Sequence, residues 1–376
     1  MVEDEPGRRK ALPAGAETAP LRPARTRRHA AELSEVAPLG ALGDGLPQQA
    51  PEVGSSATLL RTLWVLTVVV LAASLGVLRA TDGPTVAQQC VATALGVAFA
   101  SGLGVRSGAH VSLGTALALV VGITAVVTQW APLLGGAAVA TGVLAACLAV
   151  LGTRPAATFR AVVLEVVVAL LVATAGGLGV AGFAVGVNRE RFAYTVLALS
   201  MVATVALVYR LGGGLHGLGR RGLILAAGAV VVLLVVLVYT AALTRYGSPE
   251  LVRQVHSDQT WVRDQLGGVP HPVELLVGIP ALAWGVSLRS RRRQGWWVCA
   301  FGTAATAHVV SDLLDRDDTV LSSALSAFYT LGLGLLLGYV LIRLEGALTG
   351  RGERRTPLGR GAVVLREEPP RLHPLH

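Results

Sequence analysis

The residues HPVELLVGIPALAWGVSLRSRRR, positions 271–293, decide how this chain is read. Positions 271 to 288 form an apolar run with His271 and Glu274 at one end, while Arg289, Arg291, Arg292 and Arg293 close the other. A helix of about 20 such residues crosses about 30 Å of hydrocarbon, and basic residues are retained on the cytoplasmic side of a membrane. The stretch thus carries a membrane span, an orientation and two ionisable groups within membrane depth.

Nine further apolar runs lie around it, at 60 to 79, 89 to 106, 111 to 130, 133 to 152, 160 to 187, 192 to 210, 222 to 243, 297 to 314 and 320 to 343. Only Gln129, Trp130, Ala131 and Pro132 separate the third from the fourth, but fused they would be too long for one span. The 376 residues are 53% hydrophobic and 15% charged, with mean hydropathy +0.61. Soluble domains carry about 25% charged residues. We therefore expect an all-α membrane protein: a bundle of about ten transmembrane helices over 58–345, multi-pass in the plasma (inner) membrane, with the lipid bilayer as its first partner.

Residues 1–57 and 346–376 mix Pro, Ala, Glu and Arg without periodicity and read as disordered tails. The loops orient the bundle. With the N-terminus inside, Arg106, Arg154, Arg160, Arg210, Arg220, Arg221, Arg289, Arg291, Arg292 and Arg293 fall in four inner loops, against seven Arg spread over five outer ones. Both tails are then cytoplasmic. The net charge of +9 is explained by these loops and tails, and no aromatic residues interleave them for base stacking, so nucleic acid is not an expected partner. Cys90, Cys147 and Cys299 sit in or at the ends of separate runs, without metal or disulfide spacing.

The longest outer segment, 248–267, has helix signals of its own. Ser248-Pro249-Glu250 supplies a cap, a proline at the first helical position and a first-turn acid, and Gly267-Gly268 a stop. Leu251, Val255, Val262 and Leu266 share one face, which predicts an amphipathic external helix. Small-residue pairs at Gly182 and Gly186 and at Gly334 and Gly338 predict close helix packing. Gly176, Gly177 and Gly179 make the fifth run a candidate for local unwinding.

A charge near the bilayer centre costs at least about 2.5 to 3.5 kcal/mol, so ionisable groups there face the bundle interior and mark candidate sites. In the ninth run His308, Ser311, Asp312 and Asp315 recur on one helical face, and in the eighth His271 and Glu274 share a face that continues through Gly278 and Ala281. In the tenth, Ser322, Ser326, Tyr329 and Thr330 form a polar stripe. At about 1.5 Å per residue, Glu274, His308 and Asp312 all fall in the outer half of the membrane. The candidate substrate or proton site is therefore Glu274, His308, Asp312, His271, Ser326 and Tyr329; if the three helices are neighbours, these residues line an outward-opening polar pocket whose coupled titration would suit proton-linked binding. His271, Glu274, His308 and Asp312 are also acceptable metal ligands, but their spacing matches no zinc signature, and neither metal nor cofactor is expected. Glu165, near the inner end of the fifth run and close to Arg160, reads as an interfacial structural group.

Ten helices with both ends inside resemble the drug/metabolite transporter superfamily in gross layout. The segment from Gly268 to Val298, with Val269-Pro270-His271-Pro272-Val273-Glu274 and Arg291-Arg292-Arg293-Gln294-Gly295-Trp296-Trp297, resembles integral membrane proteins of actinobacteria that carry no assigned function. The first resemblance implies a permease and the second only a fold and location. No nucleotide-binding loop or nucleophile motif is present, so the chain is not expected to be an enzyme. Three readings follow. The chain is a proton- or ion-coupled secondary transporter acting on a small solute or lipid, a non-catalytic partner in an envelope or cell-division complex, or a membrane-embedded enzyme acting on a lipid-linked substrate.

Overall fold

In a computed structural model the residues described are 55–213, scattered helical positions between 224 and 238, 249–291, 295–314, 320–349 and 371–375. Nearly all are helical. The elements are α1 (Ser55–Ala80), α2 (Thr85–Ser107), α3 (Val111–Thr128), α4 (Ala131–Leu151), α5 (Phe159–Gly182), α6 (Arg189–Val208), α7 (Pro249–Leu266), α8 (Ile279–Arg289), α9 (Gly295–Phe301), α10 (Thr303–Asp312) and α11 (Val320–Thr349). Among the described residues seven helices are long and apolar enough to cross a membrane, namely α1 to α6 and α11.

Local chemistry sets several boundaries. The third and fourth runs are separate helices because Gln129 turns left-handed at φ 50° after α3 and Pro132 occupies the first turn of α4. Thr158 caps α5 by accepting from Ala161 N, and Asn188 caps α6 by accepting from Arg191 N at 3.0 Å. The helix over Pro249–Leu266 ends at Gly267, whose φ of +75° favours glycine, and Arg253 pairs with Glu250 along its exposed side. Ser248 and the bulk of the seventh run lie outside the described residues.

The described residues from Ser56 onward pack as one unit whose outside is apolar. Leu60, Leu63 and Val70 on α1 and Leu117, Val120 and Val127 on α3 are exposed. A continuous apolar exterior of this extent belongs against lipid. Helices α8, α9 and α10 are largely buried, with Leu282, Ala283 and Val286 of α8, Cys299 of α9 and Ala304, Ala305, Ala307 and Val310 of α10 all at 0% exposure, as are the inner faces of the long helices at Leu95, Phe99, Ala145 and Val180. The α4, α5 and α6 helices pack around α10, and α11 covers α8.

Glycines set the closest approaches. A Cβ on Gly176 would stand 2.2 Å from Ala145 Cβ, and one on Gly177 would stand 3.0 Å from Val310 O. The helix of the fifth run continues unbroken from Phe159 through these glycines to Gly182, so Gly176 and Gly177 serve contact with α4 and α10 rather than the local unwinding for which they were candidates. Gly334 and Gly338 of α11 face Ile279 and Ala283 of α8, as their spacing predicts, whereas Gly186 meets nothing within 4 Å.

Among the described residues irregularity falls at the end of the sixth run, where Tyr209–Gly213 makes a π-helical turn, and in the eighth and ninth runs. Before α8 the chain makes a π-helical turn, Glu274–Gly278, in which Ile279 N donates to Glu274 O. Pro280 follows directly. Lacking an N–H, it cannot bond back four residues, and the widened turn takes up that mismatch. The ninth run is divided at Gly302 into α9 and α10, with Gly302 N bonded to Cys299 O at 2.8 Å.

Near the C-terminal end, Arg371–Leu375 lie against the helices. Arg371 Nη2 donates to Glu165 Oε1 at 2.6 Å, Arg106 Nη1 donates to His373 O at 3.3 Å, and Leu375 packs against the apolar core. Glu165 is thus bonded to Arg371 and to Arg154 N, not to the nearby Arg160.

Candidate functional site

One backbone crossing builds the site. The α8 run and the α9–α10 run are antiparallel, with Gly285 against Cys299 and Gly278 against Ala305, where an added Cβ would meet Ala305 N at 2.4 Å. One turn before Gly278 is Glu274, and one turn beyond Ala305 is His308. In antiparallel helices these steps converge, so the side chains meet.

His308 Nε2 lies 3.8 Å and His271 Nδ1 3.7 Å from Glu274 Oε1. The two imidazoles meet edge to face with centroids 4.8 Å apart. One ligand atom from each of His271, Glu274 and His308 falls within 4.8 Å of the others. Asp312, at the end of α10, places Oδ1 4.0 Å from His271 Nε2. Burial is graded across the group. The side chain of Glu274 is 5% exposed, those of His271 and His308 27% and 34%, and that of Asp312 41%. The carboxylate is therefore the floor and Asp312 the rim.

Of the six residues named from sequence, these four gather. Ser326 contributes differently: its Oγ accepts from Val269 N at 3.0 Å, while Thr330 Oγ1 accepts from His271 N at 2.9 Å and donates to Ser326 O at 2.7 Å. A Cβ on Gly268 would stand 2.6 Å from Ser326 N, so the segment entering the site lies directly on α11. The α11 stripe thus fixes the backbone that carries His271. Tyr329, on the same helix, packs edge-on to Phe328 at 6.0 Å.

Sequence reasoning missed two further groups of polar residues. Arg79, used only to orient a loop, donates to Ala181 O at 3.0 Å and to Leu313 O at 3.4 Å, tying α1 and α5 to the residue after Asp312. At the other end of the α8 run Arg289, fully buried, donates to Thr153 Oγ1 at 2.7 Å and Thr153 O at 3.0 Å and lies 3.4 Å over the Trp296 ring. Arg106, equally buried, donates to Leu151 O at 2.8 Å. Their signal was present as arginines within a turn of an apolar run, a position usually read only as topology.

These features define a class: a multi-spanning α-helical membrane protein with a buried His–Glu–His cluster at an irregular pair of helices. Comparison with protein-family models, with curated proteins and with solved structures finds no match. Neither resemblance drawn from the sequence gains support from those comparisons.

Proposed function

We propose that the protein is a permease-like membrane protein that takes up a proton or cation at Glu274 and His308, with His271 and Asp312 forming the approach. The observation that carries this reading is a carboxylate at 5% exposure facing two histidines on interrupted helices. Intramembrane ionisable groups mark ion and proton pathways, and transporters build their sites where helices are discontinuous. The reading assigns no bond-breaking chemistry to these residues.

The topology proposed with it has ten spans: the seven long helices, the interrupted runs over 272–289 and 295–312, and the run at 222 to 243. Both termini are cytoplasmic, because the Arg-rich loops mark that side, and the cluster therefore opens outward. Reconstitution into vesicles tests the function. A pH or cation gradient should drive flux in the wild type, and Glu274→Gln should lower it at least about tenfold while the protein remains monodisperse. Equal flux in the two would end this reading.

A further inference from the structure

The donor set and its geometry point to a more specific occupant, resting on the cation-binding reading above. We propose that His271 Nδ1, Glu274 Oε1 and His308 Nε2 bind one divalent transition metal ion of the zinc kind, with Asp312 acting behind His271. Two nitrogens and one carboxylate oxygen suit zinc and its neighbours, whereas magnesium and calcium take oxygen ligands. Tetrahedral ligands about 2.0 to 2.2 Å from zinc stand about 3.3 to 3.5 Å from one another. The two N···O separations here are 3.7 and 3.8 Å and the three ligand atoms lie within 4.8 Å of one another, so the N···O edges close by a few tenths of an ångström and the two imidazoles must turn further toward each other to complete the site.

The same separations speak against a simple ion pair. Charge-assisted N–H···O bonds run at about 2.7 to 2.9 Å, and these are too long to satisfy a buried carboxylate. A cation held between the three groups satisfies all of them. With Nδ1 of His271 committed to the metal, its Nε2–H faces Asp312 Oδ1 at 4.0 Å. Closing that gap to hydrogen-bond length on metal binding would make the carboxylate–histidine–metal arrangement that fixes the ring and strengthens its donor nitrogen. Asp312 is thereby a positioning residue. Three protein ligands leave a coordination position for water or a solute, as exchangeable sites do. No linear signature announced the site because its ligands are divided between two antiparallel helices.

The test uses the purified full-length chain in detergent, stripped with chelator and titrated with Co²⁺, whose visible absorption reports few-coordinate binding, followed by displacement with Zn²⁺. Expected are one ion per chain, loss of the spectrum in Glu274→Gln and His308→Ala, a fall in affinity of about 10- to 100-fold in Asp312→Asn, and no change in His110→Ala, which is far along the chain in a loop. Binding should weaken as pH falls, because protons compete for the histidine nitrogens. Should Glu274→Gln misfold, His271→Ala, nearer the surface, must abolish binding instead. A folded wild type that binds neither ion, or binding left intact by the ligand variants, overturns the proposal. Metal binding without flux would sink the transport reading alone, and Glu274-dependent flux without metal binding would sink this inference alone.

Discussion

The two ends of the α8 run, Glu274 and Arg289, are about 22 Å apart along the helix and are bonded in opposite ways. At the Arg289 end each buried charge makes at least one short bond: 2.7 and 3.0 Å from Arg289 to Thr153, 2.8 Å from Arg106 to Leu151 O, 2.9 and 2.6 Å from Arg154 N and Arg371 to Glu165. At the Glu274 end the ionisable side chains stand 3.7 to 4.0 Å apart. Buried charge is tolerated when it is paired and hydrogen-bonded. The first end meets that condition from its own residues and so fastens helix termini together. The second holds its ionisable groups at longer separations, the geometry on which the proposed cation site rests.

The comparison breaks most readily at Arg289. Arg289→Ala deletes two hydrogen bonds from a buried cation and its stacking on Trp296, and should destabilise the protein by about 3 kcal/mol. The check is thermal unfolding in detergent beside Glu274→Gln, which should leave the midpoint unchanged or raised. If the two variants unfold alike, the division into a fastening end and a receiving end is wrong.

A middle-sized effect is expected from Gly278→Ala, which acts on the crossing that joins the ends. The added methyl meets Ala305 N and Cβ at 2.4 and 2.5 Å, so α8 and α10 must separate. Overpacking of this kind costs about 1 to 3 kcal/mol, and cation affinity should fall with it because Glu274 and His308 lie one turn to either side. Stability lost with cation affinity intact would show that the crossing does not set the site.

That crossing also marks what could be read in advance. The apolar runs were legible because hydropathy is local, and so was the shared face of His271 and Glu274. Pro280 after Gly278 is a local cue to the widened turn, although glycine content drew attention to the fifth run instead. The meeting of Glu274 with His308 was legible only as a condition on neighbouring helices, since it depends on Gly278 finding Ala305 across the bundle. Ser326 was correctly noticed as polar, but its bond to Val269 N is tertiary, and spacing alone does not separate a residue that lines a site from one that holds its backbone. The Arg371 contact was illegible for a different reason: the surrounding composition is that of a solvated tail, and Glu165 is more than two hundred residues away in sequence.

The smallest effect sharpens the comparison at that contact. Burial holds the Arg371 guanidinium below its ordinary value, while the neighbouring Glu165 pulls it back up. Glu165→Gln removes that support together with one charge-assisted bond, a loss of about 1.5 kcal/mol. The segment Arg371–Leu375 should then leave for water, where an arginine is charged at no cost. Trypsin cleavage after Arg371 should accelerate about tenfold relative to wild type, with the global unfolding midpoint shifted by only a few degrees. Since Glu165 also accepts from Arg154 N at 2.9 Å, a contact that glutamine can keep, the loop after α4 should stay in place. Unchanged cleavage would mean that the His373 carbonyl on Arg106 and the Leu375 side chain hold the segment without the ion pair, and that the fastening at this end is carried by its arginines alone.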